Sequence, residues 1–412
     1  MGLLVLKFGG TSVATVSAIE NAAGKVAAEV KNGHKVAVVV SAMAGVTNQL
    51  VSYCSEINQV FDAQEYDAVV ASGEQVTSGL LALALQKRGI KARSWMGWQV
   101  PIVTNDVHGK ARIRSIDSPA LKNSVMQGDV AVIAGFQGVT EDGRMTTLGR
   151  GGSDTSAVAV AAALKADRCD IYTDVPGVFT ADPRIVNHAR KIDKISYEEM
   201  LEMASVGAKV LQTRSVELAM KEKVSVQVLS SFETALGSDL PGTLVVDEDD
   251  IVEQEVVSSV THSRDEAKVT LRHLPDLPGV AAKVFGPLAD AAINVDMIVQ
   301  NLSPDMKKTD LTFTVPRADL LKTLAVLTGV CQALPGTQVE SSADVAKISI
   351  IGIGMRSYVG VAQKMFKTLA EKGINIQVIT TSEIKVSVLV ADEYTELAVR
   401  SLHTAYGLDH ES

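Results

Sequence analysis

The chain has 412 residues, with 39 Lys and Arg against 48 Asp and Glu, and the resulting net charge of −9 argues against a general nucleic-acid-binding role. The length allows roughly two or three domains, each with room for a buried core. Three scattered cysteines, Cys54, Cys169 and Cys331, form neither a disulfide framework nor a metal-ligand pattern. The apolar run Leu3–Leu6 stops at Lys7, too short for a signal peptide, and no run approaches the ~18 apolar residues of a membrane span. A cytoplasmic protein without nucleic-acid or membrane partners is expected.

In chain order, strands rich in Val, Ile and Leu are predicted at Leu3–Phe8, Lys35–Ser41, Ala92–Ser94, Val130–Phe136, Cys169–Thr173 and Val224–Leu229. Helices are predicted between them, including Val16–Lys31, Val69–Arg88 and Thr155–Ala166. Short buried strands alternating with helices imply an α/β fold, a mainly parallel sheet covered on both faces in three αβα layers. Ligands in such sheets sit beyond the carboxyl ends of the strands, where Lys7, Ser41, Gly135 and Asp174 fall.

Three loops at those ends carry the chemistry. Lys7-Phe8-Gly9-Gly10 offers a point charge and a flexible amide cradle. Thr147-Leu148-Gly149-Arg150-Gly151-Gly152-Ser153-Asp154 precedes an apolar helix and aims amides and a positive helix end at an anion, with Arg150 able to fork onto a carboxylate. The segment from Tyr172 to Arg184 adds two carboxylates, an arginine and an aromatic ring, and Lys209 is a second candidate cation. Neither a Gly-x-x-x-x-Gly-Lys-Ser/Thr phosphate loop nor a Gly-x-Gly-x-x-Gly fingerprint after the first strand is present. Together these loops have the makings of a phosphoryl-transfer site.

A break follows at Pro241-Gly242-Thr243, with an acidic turn at Asp247–Asp250. Beyond it the chain repeats: residues 279–294 align without gaps onto 360–375, sharing Gly, Lys, Phe and a closing Ile-Asn that helical periodicity alone does not explain. Each copy is expected to run strand, helix, strand, strand, helix, with a last strand near Thr337–Glu340 in the first copy. The spare strand Val252–Thr261 is expected to supply the missing edge of the second. In the first copy Asp276-Leu277-Pro278-Gly279 precedes a helix, so Asp276 can meet an amine while the amides beyond Gly279 meet a carboxylate. Asn294, Val295, Asp296 and Gln300 follow on or beside the next strand.

The Lys-Phe-Gly-Gly-Thr-Ser motif at 7–12, Ala-Ser-Gly-Glu at 71–74, Gly-Arg-Gly-Gly-Ser-Asp at 149–154 and Tyr-Thr-Asp-Val-Pro-Gly-Val-Phe-Thr-Ala-Asp-Pro-Arg at 172–184 resemble aspartate kinase of the amino-acid kinase superfamily. The duplicated tail resembles that enzyme's paired α+β, ferredoxin-like ACT modules. The resemblance spans essentially the whole chain. It implies a catalytic domain at 1–245, a linker and strand at 246–262 completing the second module, module 1 at 263–342 and module 2 at 343–412. It also implies transfer of the γ-phosphoryl group of ATP, with Mg²⁺ accompanying the nucleotide, to the side-chain carboxylate of L-aspartate.

By that resemblance Lys7, with Gly9 and Gly10, neutralises the phosphoryl oxygens and Asp154 holds Lys7. Phe8, Thr173, Asp174, Phe179, Thr180, Ala181, Asp182, Pro183, Arg184 and Lys209 hold the nucleotide. Glu74 takes the ammonium of aspartate and Arg150 a carboxylate, with Ser41, Thr47, Gly151, Gly152 and Ser153 completing that pocket. Lysine and/or threonine are expected as effectors at the first module. Ser357-Tyr358-Val359-Gly360 replaces the acidic loop in the second, where Val361, Ala362, Asn375, Ile376, Ser382 and Glu383 are the lining. A homo-oligomer, dimer or tetramer, is expected to form through these modules. The alternatives are another small-carboxylate kinase of the superfamily, such as one acting on acetylglutamate, or an amino-acid sensor whose catalytic half has decayed.

Overall fold

A computed structural model describes residues 2–208, 210–234, 236–237, 242–251, 256–302 and 308–409. The chain divides into two compact units, one of residues 1–178, 191–205 and 209–253, the other of 179–190, 206–208 and 254–412.

The first unit opens with β1 (Leu3–Phe8), α1 (Val16–Lys31), β2 (Lys35–Val40), α2 (Val46–Ile57), α3 (Ala63–Val70), α4 (Ser72–Lys87) and β3 (Ala92–Trp95). It continues through β4 (Ile102–Thr104), β5 (Ile113–Ile116), α5 (Pro119–Met126), β6 (Val130–Ala134), β7 (Gln137–Val139), β8 (Met145–Thr147), α6 (Gly152–Leu164) and β9 (Arg168–Thr173). It closes with β10 (Lys194–Ser196), α7 (Tyr197–Ser205), α8 (Thr213–Glu222), β11 (Val226–Ser230) and β12 (Thr243–Val246). Eight of these strands form one sheet in the order β10-β12-β11-β9-β1-β2-β6-β3, parallel except where β11 meets β12.

Strand alternation decides which layer each side chain enters. Leu4, Leu6 and Phe8 point into a core with Ile19, Ala23 and Val26 of α1 and Leu81 and Leu85 of α4. Lys7, one residue out of phase, lies on the face that α6 covers. The register sets Phe8 beside Val40 and Tyr172, and Val40 beside Ala134, so four central strands end level. The carboxyl-end row expected from the sequence is therefore present.

Two departures from the predicted boundaries bear on the site. Helix α6 begins at Gly152, three residues earlier than predicted, because Gly151 takes a left-handed conformation (φ 70°) at the cap and brings Ser153 and Asp154 into the first turn. The predicted helix Val69–Arg88 is two helices meeting at Ala71. The combined stretch Ala63–Lys87 is long and apolar enough to cross a membrane by composition, yet Val70, Leu81 and Leu85 are buried in the protein, as in a core helix. A four-stranded sheet, β5-β4-β7-β8, was not predicted.

The second unit holds β13 (Ser259–Pro275), α9 (Val280–Asp290), β14 (Asp296–Leu302), β15 (Lys308–Val315), α10 (Leu320–Ala333), β16 (Gln338–Ile351), α11 (Val361–Glu371), β17 (Val378–Thr381), β18 (Lys385–Ala391) and α12 (Thr395–Ala405). The duplication is visible in the backbone: Gly279 and Gly360, at equivalent positions before α9 and α11, both have φ 89°. The two copies are not separate sheets. Strands β13 and β16 each run through both, giving one antiparallel sheet in the order β14-β15-β13-β16-β18-β17. Ser259–Ser263 pairs with residues 347–351 and forms the outer strand of the second copy's half. The expected edge strand thus exists but starts at Ser259, and positions 252–255 of that expectation lie outside the described residues.

The core of the second copy also contains Ala181 and Val186, contributed from far upstream, and Val260 from the outer strand. A fragment of residues 343–412 lacks all three and should give a collapsed amide spectrum by ¹H–¹⁵N NMR. Residues 263–342, which keep all four strands of the first copy, should give a dispersed one.

Candidate active site

Lys7 and Asp154 are each only 8% exposed, and Lys7 Nζ lies 2.5 Å from Asp154 Oδ1. Lys7 comes from the end of the central strand and Asp154 from the first turn of α6, where the helix dipole favours a carboxylate. A buried ammonium without this partner would be costly, so the pair holds the cation in place.

Close backbone approach packs the surrounding loops around the pair. A β-carbon on Gly9 would lie 3.4 Å from Lys7 Nζ, and one on Gly10 would lie 3.1 Å from the carbonyl of Ala42. At Gly135 it would meet the Val40 carbonyl at 2.9 Å and Ser153 Cβ at 3.0 Å. The Gly9 amide donates to the Tyr172 carbonyl and the Ser41 amide to the Phe8 carbonyl. The ring of Phe8 is fully buried and stacks on Tyr172, so it belongs to the core and has no surface for a nucleotide.

Glu74, in the first turn of α4, is 3% exposed. Its Oε1 accepts the Ala42 amide at 3.0 Å, while Oε2 is buried with no hydrogen-bond partner. Burial pushes its carboxyl up to about 7, against the smaller opposing pull of the Ala42 amide. Ser41 and Thr47 are half-buried nearby in sequence, at the end of β2 and the start of α2. Arg150 is exposed at the tip of the glycine loop, and Gly151 and Gly152 are sites where a β-carbon would collide with Gln212 and Phe136.

The predicted nucleotide segment is divided. Thr173, which donates to Asp174, and Asp174 itself remain at the end of β9 in the first unit. Phe179, Thr180, Ala181, Asp182, Pro183 and Arg184 belong to the second. There Thr180 Oγ1 meets His403 Nε2 at 2.9 Å, Ala181 is a core residue, and Asp182 pairs with Arg184 at 2.7 Å. The Arg184 guanidinium holds the Asp182 carboxyl below its ordinary range. The side chains of Thr180 and Ala181 are thus committed to packing. Lys209 lies outside the described residues.

Among the effector candidates, Asp276, Leu277, Pro278 and Gly279 form an exposed loop before α9, with Asn294 and Gln300 also exposed and Val295 half-buried. Asp296 is already engaged: Oδ2 lies 2.8 Å from Lys347 Nζ and Oδ1 accepts the Met297 amide. Partial desolvation works against its ionised form, but the Lys347 bond and charge prevail and hold the carboxyl below its ordinary range. In the second copy Val361, Ala362 and Ile376 pack against the core, while Asn375, Ser382 and Glu383 are exposed. The sequence did not single out Ala42, which acts through its backbone amide and leaves no side-chain signal.

A buried cation and carboxylate at level parallel strand ends, beside a glycine-flanked helix N-terminus, define a phosphotransferase for small acids. The amino acid kinase family matches residues 2–230, and the chain belongs to that family; the ACT domain matches residues 272–329 and 348–406. Within it the chain falls among the aspartate kinases, ATP-dependent enzymes that phosphorylate aspartate. It is 53% identical to the aspartate kinase of Stutzerimonas stutzeri over 99% of this chain and 98% of that one. The crystal structure of E. coli aspartokinase III in complex with aspartate and ADP aligns with a TM-score of 0.79 at 29% identity, covering 98% of this chain and 99% of that one. The same enzyme in complex with lysine and aspartate aligns at 0.77 and 30% identity, over the same shares.

Glu74 gives the free enzyme a defined pH signature. Its folded value of about 7 exceeds the ordinary 4.5, so the folded state holds the proton more tightly. The associated stability is complete below pH ~4.5 and lost as pH rises through ~7, a cost of about 3 kcal/mol. Glu74→Gln should therefore be more stable than the parent at pH 8, with the difference vanishing near pH 4.5. Denaturant melts of the ligand-free proteins at both pH values check this.

Proposed function

We propose that Lys7 is the cation that neutralises the transferring γ-phosphoryl group of ATP and that Asp154 holds it there. The observation that carries this assignment is the buried 2.5 Å pair at the level ends of the central strands. An oxygen of the aspartate side-chain carboxylate attacks the γ-phosphorus, the bond to the β,γ-bridging oxygen breaks, and ADP leaves with those electrons. The products are 4-phospho-L-aspartate and ADP. The nucleophile is ionised at neutral pH and needs no base, so the burden falls on alignment and charge neutralisation. The amide of Gly10 and the first turn of α6 assist, the Gly9 amide being taken up by the Tyr172 carbonyl. Thr173 and Asp174, with Lys209, are assigned to the nucleotide. Mg²⁺ is assigned to the nucleotide phosphates, where it would add charge neutralisation.

For aspartate, the unpartnered oxygen of Glu74 receives the ammonium and Arg150 forks onto the α-carboxylate, with Ser41, Thr47 and Ser153 supplying hydroxyls. The enzyme acts in the cytoplasm. Lysine and/or threonine inhibit it by binding the exposed Asp276–Gly279 loop with Asn294 and Gln300, and the ACT modules join chains into a homo-oligomer. The lysine complex of the E. coli neighbour supports the effector assignment.

A coupled ADP-release assay with L-aspartate tests the catalytic assignment. Lys7→Ala should lower kcat by at least about a thousandfold, a loss of roughly 4 kcal/mol in the transition state, while aspartate binding persists. A loss within about tenfold would remove Lys7 from the reaction.

Asp276→Ala should abolish most effector inhibition with uninhibited kcat near normal. An inhibitor acts only through its difference in affinity between two arrangements, and this change removes its main charge contact. Titration of lysine and threonine, singly and together, reads the result; an unchanged inhibition curve would move the effector site elsewhere.

A further inference from the structure

Asp67, on α3, is fully buried, yet it is not among the residues that would touch either substrate. Its carboxylate gathers donors from two loops. Thr147 Oγ1 donates to Oδ1 at 2.5 Å, the Gly109 amide reaches both oxygens at 3.0–3.1 Å, and His108 Nδ1 lies 2.8 Å from Oδ2. Every contact is internal to the first unit.

Thr147 ends β8 and stands three residues before Arg150. The chain between them is held from the other side too. The Ala111 amide donates to the Thr147 carbonyl at 2.9 Å, and Arg214 donates to the carbonyls of Leu148 and Ala111, both at 2.7 Å. Asp67 also belongs to the helical stretch that continues through Ala71 into α4, whose first turn carries Glu74. Gln137 Nε2 donates to the Ala71 carbonyl at 2.9 Å, fixing that junction against β7 of the four-stranded sheet.

We propose that Asp67 is a positioning residue for amino-acid binding, tying the helix that carries Glu74 to the loop that carries Arg150 and so setting the span between the ammonium and carboxylate sites. The inference rests on the assignment of Glu74 and Arg150 to aspartate. A buried carboxylate with charge-assisted bonds to two loops resists changes in their spacing, because any slip leaves an ionised oxygen unpaired. A pocket for a small zwitterion needs that stiffness, since its two charged ends are only a few bonds apart.

Steady-state kinetics on Asp67→Asn, Thr147→Val, Thr147→Ser and Asp67→Asn/Thr147→Val test it, with Arg150→Lys as the control. Asp67→Asn should raise the aspartate KM about tenfold or more, the loss of roughly one charge-assisted hydrogen bond, while the ATP KM and kcat stay within about twofold. Thr147→Val should repeat that split, Thr147→Ser should restore near-normal values, and the double variant should fall short of the product of the two single effects. If Asp67→Asn does not fold, the Thr147 pair alone decides the matter. A raised aspartate KM in Arg150→Lys with normal values in Asp67→Asn and Thr147→Val would overturn the inference and leave the pocket assignment standing. Equal increases in both KM values would overturn it as well, marking Asp67 as merely structural. A normal aspartate KM in Arg150→Lys would overturn the pocket assignment and the inference with it.

Discussion

Phosphorylating a carboxylate with ATP means bringing two anions together, and the proposed site would meet that need with one buried ammonium. Lys7 is held in a largely enclosed place with Asp154 against it, and both residues are where they are because of strand and helix geometry. Period-2 alternation turns Lys7 toward α6 while Leu6 and Phe8 turn toward α1 and α4. The register of the central strands puts the neighbouring loops at one height. Glycine at 9, 10, 135, 151 and 152 then removes the β-carbons that would hold those loops apart.

Two buried carboxylates in the same unit differ in how fully their oxygens are met. Asp67 has its oxygens met by a threonine hydroxyl, an amide and a histidine ring. Glu74 has one amide and a buried oxygen without a hydrogen-bond partner among the described residues. A satisfied buried carboxylate fastens elements together, whereas an unsatisfied one is a standing cost that persists only where a ligand relieves it. The rise of the Glu74 carboxyl to about 7 is that cost in titration form, and an incoming ammonium would reverse it.

Much of this was legible in the sequence, for identifiable reasons. The central strands are continuous apolar runs, and helix α1 matched its predicted span, Val16–Lys31, because its apolar period is clear. The short sheet β5-β4-β7-β8 escaped because its strands have only three or four residues, too few for alternation to register. The resemblance places Phe179–Arg184 at the nucleotide, yet Ala181, with Val186 just beyond that stretch, enters a core whose other buried members lie beyond residue 256. No local pattern announces so distant a partner. Asp67, His108 and Thr147 likewise meet only in three dimensions.

The repeated tail shows how duplication can be plain in sequence while its architecture is hidden. The paired glycines at 279 and 360 adopt the same left-handed turn, so the two copies keep one backbone plan even where the acidic loop has been replaced. What the repeat does not reveal is that β13 and β16 pass through both copies. Lys347, on the second-copy half of β16, is buried between Glu266 at 2.6 Å and Asp296 at 2.8 Å, and Asp296 opens the strand that follows the first copy's helix. An effector that drew Asp296 away would leave Lys347 with one partner in a largely enclosed place, which electrostatics penalises. A ligand that engaged Asp296 at one copy would thus be felt by a charge rooted in the other.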